Sequence, residues 1–319
     1  MQARISPDLD QARLLLEKGE LVAIPTETVY GLAGNGLDEN AVARIFAVKN
    51  RPYFDPLILH IGLLDQLEDL VELVPHSLDM LSRVCWPGPL TLLLPRTPKI
   101  PDLVTSGLPR VAVRMPAHPI ALDLLRRLDF PLAAPSANPF GYISPTRPEH
   151  VARQLGEQIS FILDGGVCQV GIESTIIGLE GEDLVIYRPG GLTPERLCEL
   201  FPGKVRYAYP EGTSQAPGNL PSHYAPRKTL YLVSKYDFKN PPVPGKAALL
   251  CFKEEWENWD NAIQWVLSPV GDMEEAARRL FSCLREMDES DADYIAAEIL
   301  PDLGLGIAVN DRLRRAAKK

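Results

Sequence analysis

The sequence predicts an α/β protein built as a larger mixed α/β domain with many strands, followed by a smaller β-α unit. Three observations carry that expectation. At 319 residues the chain exceeds the usual reach of one hydrophobic core. Apolar runs of strand length alternate with segments of helical periodicity along most of it. One stretch, "RYAYPEGTSQAPGNLPSHYAPRK" (206–228), keeps neither period and is rich in Pro, Gly and Ser. The expected units are therefore residues 1–205, a linker over 206–228, and a small three-layer, Rossmann-like unit over 229–319.

Taken in order, Ser6, Pro7 and Asp8 start a helix with Leu9, Ala12 and Leu16 on one stripe and Gly19 as its stop. "LVAIPT" is a buried strand, and a second helix runs from Asp38 to about Lys49, with Pro52 discouraging continuation. "PLILHI" is a strand, "LDQLEDLV" and "HSLDMLSRV" are helical, and "WPGPLTLLLP" turns into a strand. "RVAVRMP" alternates valines with arginines as a short strand; "HPIALDLLRRL" is an amphipathic helix leading to the strand "FPLAAPSAN". A Thr146 to Glu149 capping box opens the helix "TRPEHVARQLG". "SFILDGG", "ESTIIGLE" and "DLVIYRPGG" are strand candidates, and Thr193 before Pro194 begins the helix "TPERLCELF". In the last unit "TLYLV", "KAALLCF" and "DYIAAEIL" are strands, while "WDNAIQWVL", "MEEAARRLFSCLREM" and "VNDRLRRAAKK" are expected as helices.

Composition narrows the function. The formal charge is -9, and residues 1–205 hold 18 Lys and Arg against 25 Asp and Glu, which disfavours a general nucleic-acid binder. An anion site must then be a local gathering of cations. No apolar run approaches the roughly 20 residues of a membrane helix, and the first twenty residues lack a signal-peptide core. Five scattered cysteines without CxxC fit a reducing cytoplasm better than a zinc cluster or a disulfide framework.

No phosphate-cradling glycine loop, zinc motif or nucleophile elbow is present. Five segments instead place polar groups at the ends of apolar strands: "PTETVYG", "KNRPYFDPLILHI", "RVAVRMPAHP", "APSANPFGYISPT", and "ESTI" to "YRPGG". Ligands of open α/β sheets bind at strand ends, so these could share one cavity. Lys49 and Arg51 flank Asn50 before a proline, a rigid turn projecting an ammonium and a guanidinium suited to polyphosphate. A solvated helix end would look the same. Arg110 and Arg114 share one side of their strand while Val111 and Val113 face the core. Ser136, Asn138 and Ser144 could offer donors to an anion or sugar, or merely stabilise a multi-turn loop. His60 in "LILHI" reads most simply as a satisfied core histidine, and Tyr30 as strand packing. With no nucleophile-base pair, the pattern suits a template that holds charged substrates together.

Read together, "IPTETVYGLAG", "KNRPYFDPLILHI", "VAVRMPAHP", "APSANPFGYISPT", "GIESTII" and "YRPGG", in that order, closely resemble the YrdC family in its long two-domain L-threonylcarbamoyladenylate synthase form. The likeness extends through "APGNLPSHYAP" to "GLGIAVNDRLRRAA". It implies a twisted mixed sheet with helices around a deep concave site. It also implies that threonine, bicarbonate and ATP react, with Mg2+, to give threonylcarbamoyl-AMP and pyrophosphate, feeding the transferase machinery of the t6A modification of tRNA. Carried over by motif, Thr28, His60, Arg114, Ala134 and Ser174 resemble the threonine set. Lys49, Arg51, Asp55, Arg110, Ser136, Asn138, Ser144 and Arg188 resemble the ATP set, Lys49 and Arg51 being the catalytic cations, and Tyr224 resembles a linker residue closing over the nucleotide. No protein ligand for the metal is implied. Two departures stand out: Asp55 replaces a frequent asparagine, and Asn219 to Ser222 replace a basic, aromatic run. An RNA-binding module of the same shape, or a relative using carbamoyl phosphate, are the rival readings.

Overall fold

The structure is a computed structural model that describes residues 2–208, 217, 223–234, 243–257, 259 and 261–318; the linker positions Asn219 to Ser222 lie outside the described residues. The larger domain begins with β1 (Arg4–Ser6), a three-residue edge strand where the sequence suggests only a helix start. Too short to show alternation, it exists because it pairs with a distant strand. Helix α1 (Leu9–Glu17) follows, its first turn capped by Asp8, whose carboxylate accepts from the Gln11 amide at 3.0 Å.

The chain continues through β2 (Val22–Ile24), β3 (Gly31–Asn35), α2 (Glu39–Lys49), β4 (Ile58–His60), α3 (Gln66–Leu70) and α4 (His76–Cys85). Then come β5 (Leu90–Pro95), α5 (Asp102–Thr105), β6 (Arg110–Arg114), α6 (Pro119–Arg126), β7 (Leu132–Ala133) and α7 (Pro148–Leu155). The domain closes with β8 (Phe161–Leu163), β9 (Thr175–Glu180), β10 (Asp183–Arg188), α8 (Pro194–Leu200) and β11 (Val205–Tyr207). Eleven strands form one sheet in the order β1-β8-β2-β3-β7-β4-β6-β5-β9-β10-β11. Five pairings are parallel and five antiparallel, so the sheet is mixed as expected.

The second domain holds β12 (Leu230–Val233), β13 (Ala247–Cys251), β14 (Ala262–Val266), α9 (Met273–Glu289), β15 (Tyr294–Glu298) and α10 (Leu305–Ala316). Its four parallel strands run β12-β15-β13-β14, covered by α9 and α10.

Three local expectations are corrected. The segment "WDNAIQWVL" is not a helix: its short apolar run fits either period, and pairing with β13 makes it the edge strand β14. The capping box before α7 does not form; Arg147 is the N-cap, and the Thr146 hydroxyl lies 3.1 Å from the Ser282 hydroxyl of the second domain. The linker cannot start at 206, because β11 pairs with β10 through Tyr207. The glycine-rich β3 has weak local strand preference and is held by β2 and β7 on either side.

The domains are riveted by polar contacts along α9. Arg285 donates to the carbonyls of Ile143 and, at 3.3 Å, Ser144, and the Tyr142 hydroxyl donates to Asp288 at 2.6 Å. The loop joining β7 to α7 is thus held from the second domain.

Candidate functional site

One cleft opens beside the central strands of the large sheet. Its walls come from the segments the sequence singles out. After β2 the chain leaves the sheet at Pro25, and Thr26 folds it back: its hydroxyl donates to the Val29 carbonyl at 2.6 Å and accepts from the amides of Thr28 and Val29. The 134–146 loop is laced to this turn, Leu32 donating to Pro135 and Ala137 to Tyr30 at 2.7 and 2.8 Å. Tyr30 is more than packing, since its hydroxyl donates to the Gly166 carbonyl at 2.9 Å and accepts from the Gly165 amide.

One end of the cleft is carried by neighbouring strands. Parallel pairing of β4 with β6 sets His60 opposite Arg114. The Arg114 guanidinium, 3% exposed, donates to the Thr28 hydroxyl at 2.8 Å and to Glu27 at 2.5 Å. Glu27 also accepts from the Ala117 amide, so this carboxylate aims the guanidinium. His60 Nδ1 donates to the Ile58 carbonyl at 3.2 Å, and burial beside Arg114 pushes its pKa down to about 3, so the imidazole stays neutral. Ala134 closes the floor, and the Ser174 hydroxyl lies 2.7 Å from that of Thr91.

The other end is carried by loops. Helix α2 stops because Asn50 adopts a left-handed conformation (φ 50°), and the reversal turns Arg51 inward. Arg51 donates to the carbonyls of Asp55 and Pro56 at 2.9 and 2.7 Å and lies 2.8 Å from the Asp55 carboxylate. Lys49, 1% exposed, spends two of its three protons on the carbonyls of Ser136 (2.5 Å) and Asn138. Burial first, then Arg51, holds its pKa well below the ordinary lysine value. Arg188 donates to the Ser174 carbonyl and hydroxyl at 2.9 and 3.1 Å, and burial lowers its pKa too. Tyr224 and His223 cover this end, the tyrosine in a left-handed conformation (φ 63°).

All five of Thr28, His60, Arg114, Ala134 and Ser174 line the cleft, and so do Arg51, Ser136, Arg188 and Tyr224. Lys49, Asp55, Asn138 and Ser144 sit one layer behind the wall. Lys49 holds the loop at Ser136, Asp55 pairs with Arg51, Asn138 Nδ2 ties the carbonyls of Pro139 and Tyr142, and the Ser144 hydroxyl donates to Glu173 at 2.5 Å. Arg110 lies off the cleft, its guanidinium on the Tyr187 hydroxyl at 2.8 Å. It shares a strand face with Arg114, but four residues at about 3.3 Å each separate them. Asp55 fits beside an anion site because Arg51 neutralises it.

Thr26, Glu27, Glu173, His223 and Arg312 also border the cleft or brace its wall, although the sequence assigns none of them a role. Glu27 had a signal, an acid between two threonines at a strand end. Arg312 had none, since a charged residue in the last helix reads as a solvated face.

Three ion pairs among the described residues are buried at both ends: Arg114–Glu27, Arg51–Asp55 and Arg312–Glu173. All three border this cleft. Buried pairs seldom add stability over apolar packing, so their concentration here points to a binding function. Guanidinium, ammonium and hydroxyl donors suit carboxylate and phosphate oxygens. Among the described residues no group of three or more His, Cys, Asp or Glu could hold a metal.

Residues 14–190 match a family model described as telomere recombination, the Sua5, YciO and YrdC group. Residues 192–318 match the model of the threonylcarbamoyl-AMP synthase C-terminal domain. A Pyrococcus abyssi protein named threonylcarbamoyl-AMP synthase is 44% identical over 95% of this chain and 92% of its own length. One of the same name from Bacillus subtilis is 39% identical over 98% and 93%. The crystal structure of P. abyssi Sua5 complexed with L-threonine superposes with a TM-score of 0.88 at 41% identity, covering 97% of this chain and 94% of that one.

Proposed function

The chain belongs to the Sua5/YrdC family in its two-domain form, and on that premise we propose that it condenses L-threonine, bicarbonate or CO2, and ATP into L-threonylcarbamoyladenylate and pyrophosphate. It is a nucleotidyltransferase, and its product supplies the t6A modification of tRNA. The observation that carries this reading is that a carboxylate-suited arginine, Arg114, and the polyphosphate-suited cations Arg51 and Arg188 all line one cleft.

The chemistry is positional. Threonine's carboxylate meets Arg114, with Thr28, Ser174 and neutral His60 around its polar atoms. Its neutral amine attacks CO2 and loses a proton to solvent, forming a carbamate. A carbamate oxygen then attacks the α-phosphorus of ATP in line, and pyrophosphate leaves. Arg51 and Arg188 face the negative charge that builds on the phosphate oxygens, and Lys49 keeps the Ser136 loop against them. Holding the reactants together can supply roughly 7–11 kcal/mol of the barrier. A carbamate decomposes readily in water, so cover by His223 and Tyr224 serves to exclude it.

Mg2+ is expected to enter with ATP as part of the substrate, supplying charge neutralisation on its phosphates. The cleft carboxylates support that, because Glu27, Asp55 and Glu173 are each paired with an arginine. A free basic face of the kind an RNA-binding module needs is not what these buried, paired cations make. No helix among the described residues is long and apolar enough to cross a membrane, and the cytoplasm, where tRNA-modifying transferases would take the product, is the proposed location. The test is incubation with ATP, Mg2+, threonine and bicarbonate, omitting one component at a time. Pyrophosphate should appear only in the complete mixture, and release independent of threonine would overturn the assignment.

A further inference from the structure

The bulkiest fully buried side chain among the described residues, Arg312, belongs to the second domain yet ends at the cleft wall. From α10 its Nε donates to Glu173 at 3.0 Å, and its Nη1 donates to the Pro189 carbonyl at 2.5 Å and to Asp311 at 3.1 Å. The guanidinium carbon lies 5.4 Å from the centre of the Tyr224 ring, and Nη2 has no partner among the described residues.

Glu173 explains why a cation is placed there. It lines the cleft next to Ser174, onto which Arg188 donates, and its other oxygen accepts from Ser144. A carboxylate on that wall repels a triphosphate unless it is neutralised and turned aside. Arg312 does both, while its second donor holds the backbone directly after Arg188. Ser144, Glu173, Arg312 and Pro189 thus form one hydrogen-bonded chain from the 134–146 loop, through the second domain, to the end of β10.

We infer that Arg312 is a positioning residue for nucleotide binding, acting through Glu173, and that α10 makes the second domain a fixed part of the wall. The inference rests on the cleft being the ATP site. Its test is a double-mutant cycle on the full chain, with the affinities for a non-hydrolysable ATP analogue and for L-threonine measured separately by calorimetry. Arg312→Gln should weaken the analogue about tenfold or more, and threonine no more than about threefold. In a Glu173→Gln background the same change should cost the analogue about threefold or less, because the charge it would leave stranded is gone. Should Arg312→Gln fail to fold, Arg312→Lys serves: an ammonium keeps the charge but cannot reach Glu173 and Pro189 together, so it should weaken the analogue severalfold in the native background only.

Equal losses in both backgrounds would overturn the inference. So would a parallel fall of both affinities with the thermal midpoint, which would make Arg312 a structural rivet. Native protein that bound no nucleotide would overturn the functional reading itself, whereas native binding without coupling removes only the role of Arg312.

Discussion

The two ends of the cleft are built differently. At the threonine end, His60 and Arg114 sit opposite each other on adjacent strands, and Thr28 stands on a turn closed by its own hydrogen bonds. At the nucleotide end, Arg51 follows a helix terminus, Ser136 sits in a loop, and Glu173 is braced by the second domain. The first end is fixed by the sheet; the second depends on a support layer, Lys49, Asp55, Ser144 and Arg312, which contacts the protein through most of its hydrogen-bonding atoms. A small, rigid amino acid suits a preformed slot. A long nucleotide suits a wall assembled from several pieces, and there the side chains that matter extend one shell deeper.

If that contrast holds, the largest loss follows damage to the sheet-borne end. Arg114→Ala removes the carboxylate partner and strands buried Glu27, so pyrophosphate release should vanish and stability should fall by about 3–5 kcal/mol. Turnover and thermal midpoint measured together check this, and an active variant would remove Arg114 from the site. Arg51→Ala should abolish turnover as well, yet calorimetry should still detect threonine binding, because no threonine-end residue contacts Arg51 among its hydrogen bonds. Loss of both ligands together would erase the distinction between the ends. Lys49→Met leaves the carbonyls of Ser136 and Asn138 without their donor, and the KM for ATP should rise about tenfold while that for threonine moves little.

The same division decides what could be read from the chain. Thr28, Arg114 and Ser174 lie in segments that were legible because strand ends announce themselves: apolar runs stop at hydroxyls, and the pleat puts alternate side chains on one face, whereas His60 reads as a core histidine and joins the site only through the family likeness. The 134–146 segment was legible as a polar loop, although only tertiary pairing shows that Ser136 reaches the cavity while Asn138 and Ser144 brace it. Arg312 was illegible, since nothing within α10 distinguishes an arginine that faces another domain from one that faces water. For the same reason β14 reads as a helix, Thr146 reads as a cap, and the linker appears to begin within β11. In each case a partner remote in sequence decides the outcome.

Acid tests the rigidity of the threonine end. The His60 pKa lies at about 3 in the fold against an ordinary 6.5, so between those values the unfolded chain binds the extra proton. Stability is therefore full above pH 6.5 and falls as pH drops toward 3, by at most about 1.4 kcal/mol per pH unit from this residue. His150 and His223 are also pushed down by burial and add to the slope. His60→Gln should flatten denaturant-derived stability between pH 6 and 4 (roughly the titration window) without removing the whole dependence. An unchanged slope would mean that this histidine is protonated in the native state.

The smallest effect is expected at Arg110, where family likeness and geometry part company. The motif carries this residue to the nucleotide, but its guanidinium lies against Tyr187, 5.0 Å from the ring centre, and that hydroxyl donates in turn to Glu180. Arg110 is half-buried and lies over the buried Tyr187, and a cation–π contact of this kind contributes roughly 0.5–2 kcal/mol. If the position works as it is placed, Arg110→Ala changes kcat/KM for ATP by no more than about threefold. A loss comparable to that of Arg51→Ala would require the arginine to swing off Tyr187 toward bound nucleotide. Tyr187→Phe would then separate the cases: releasing a guanidinium that must move should leave the KM for ATP unchanged or lower it, whereas a fixed structural pair gives only a small loss of stability.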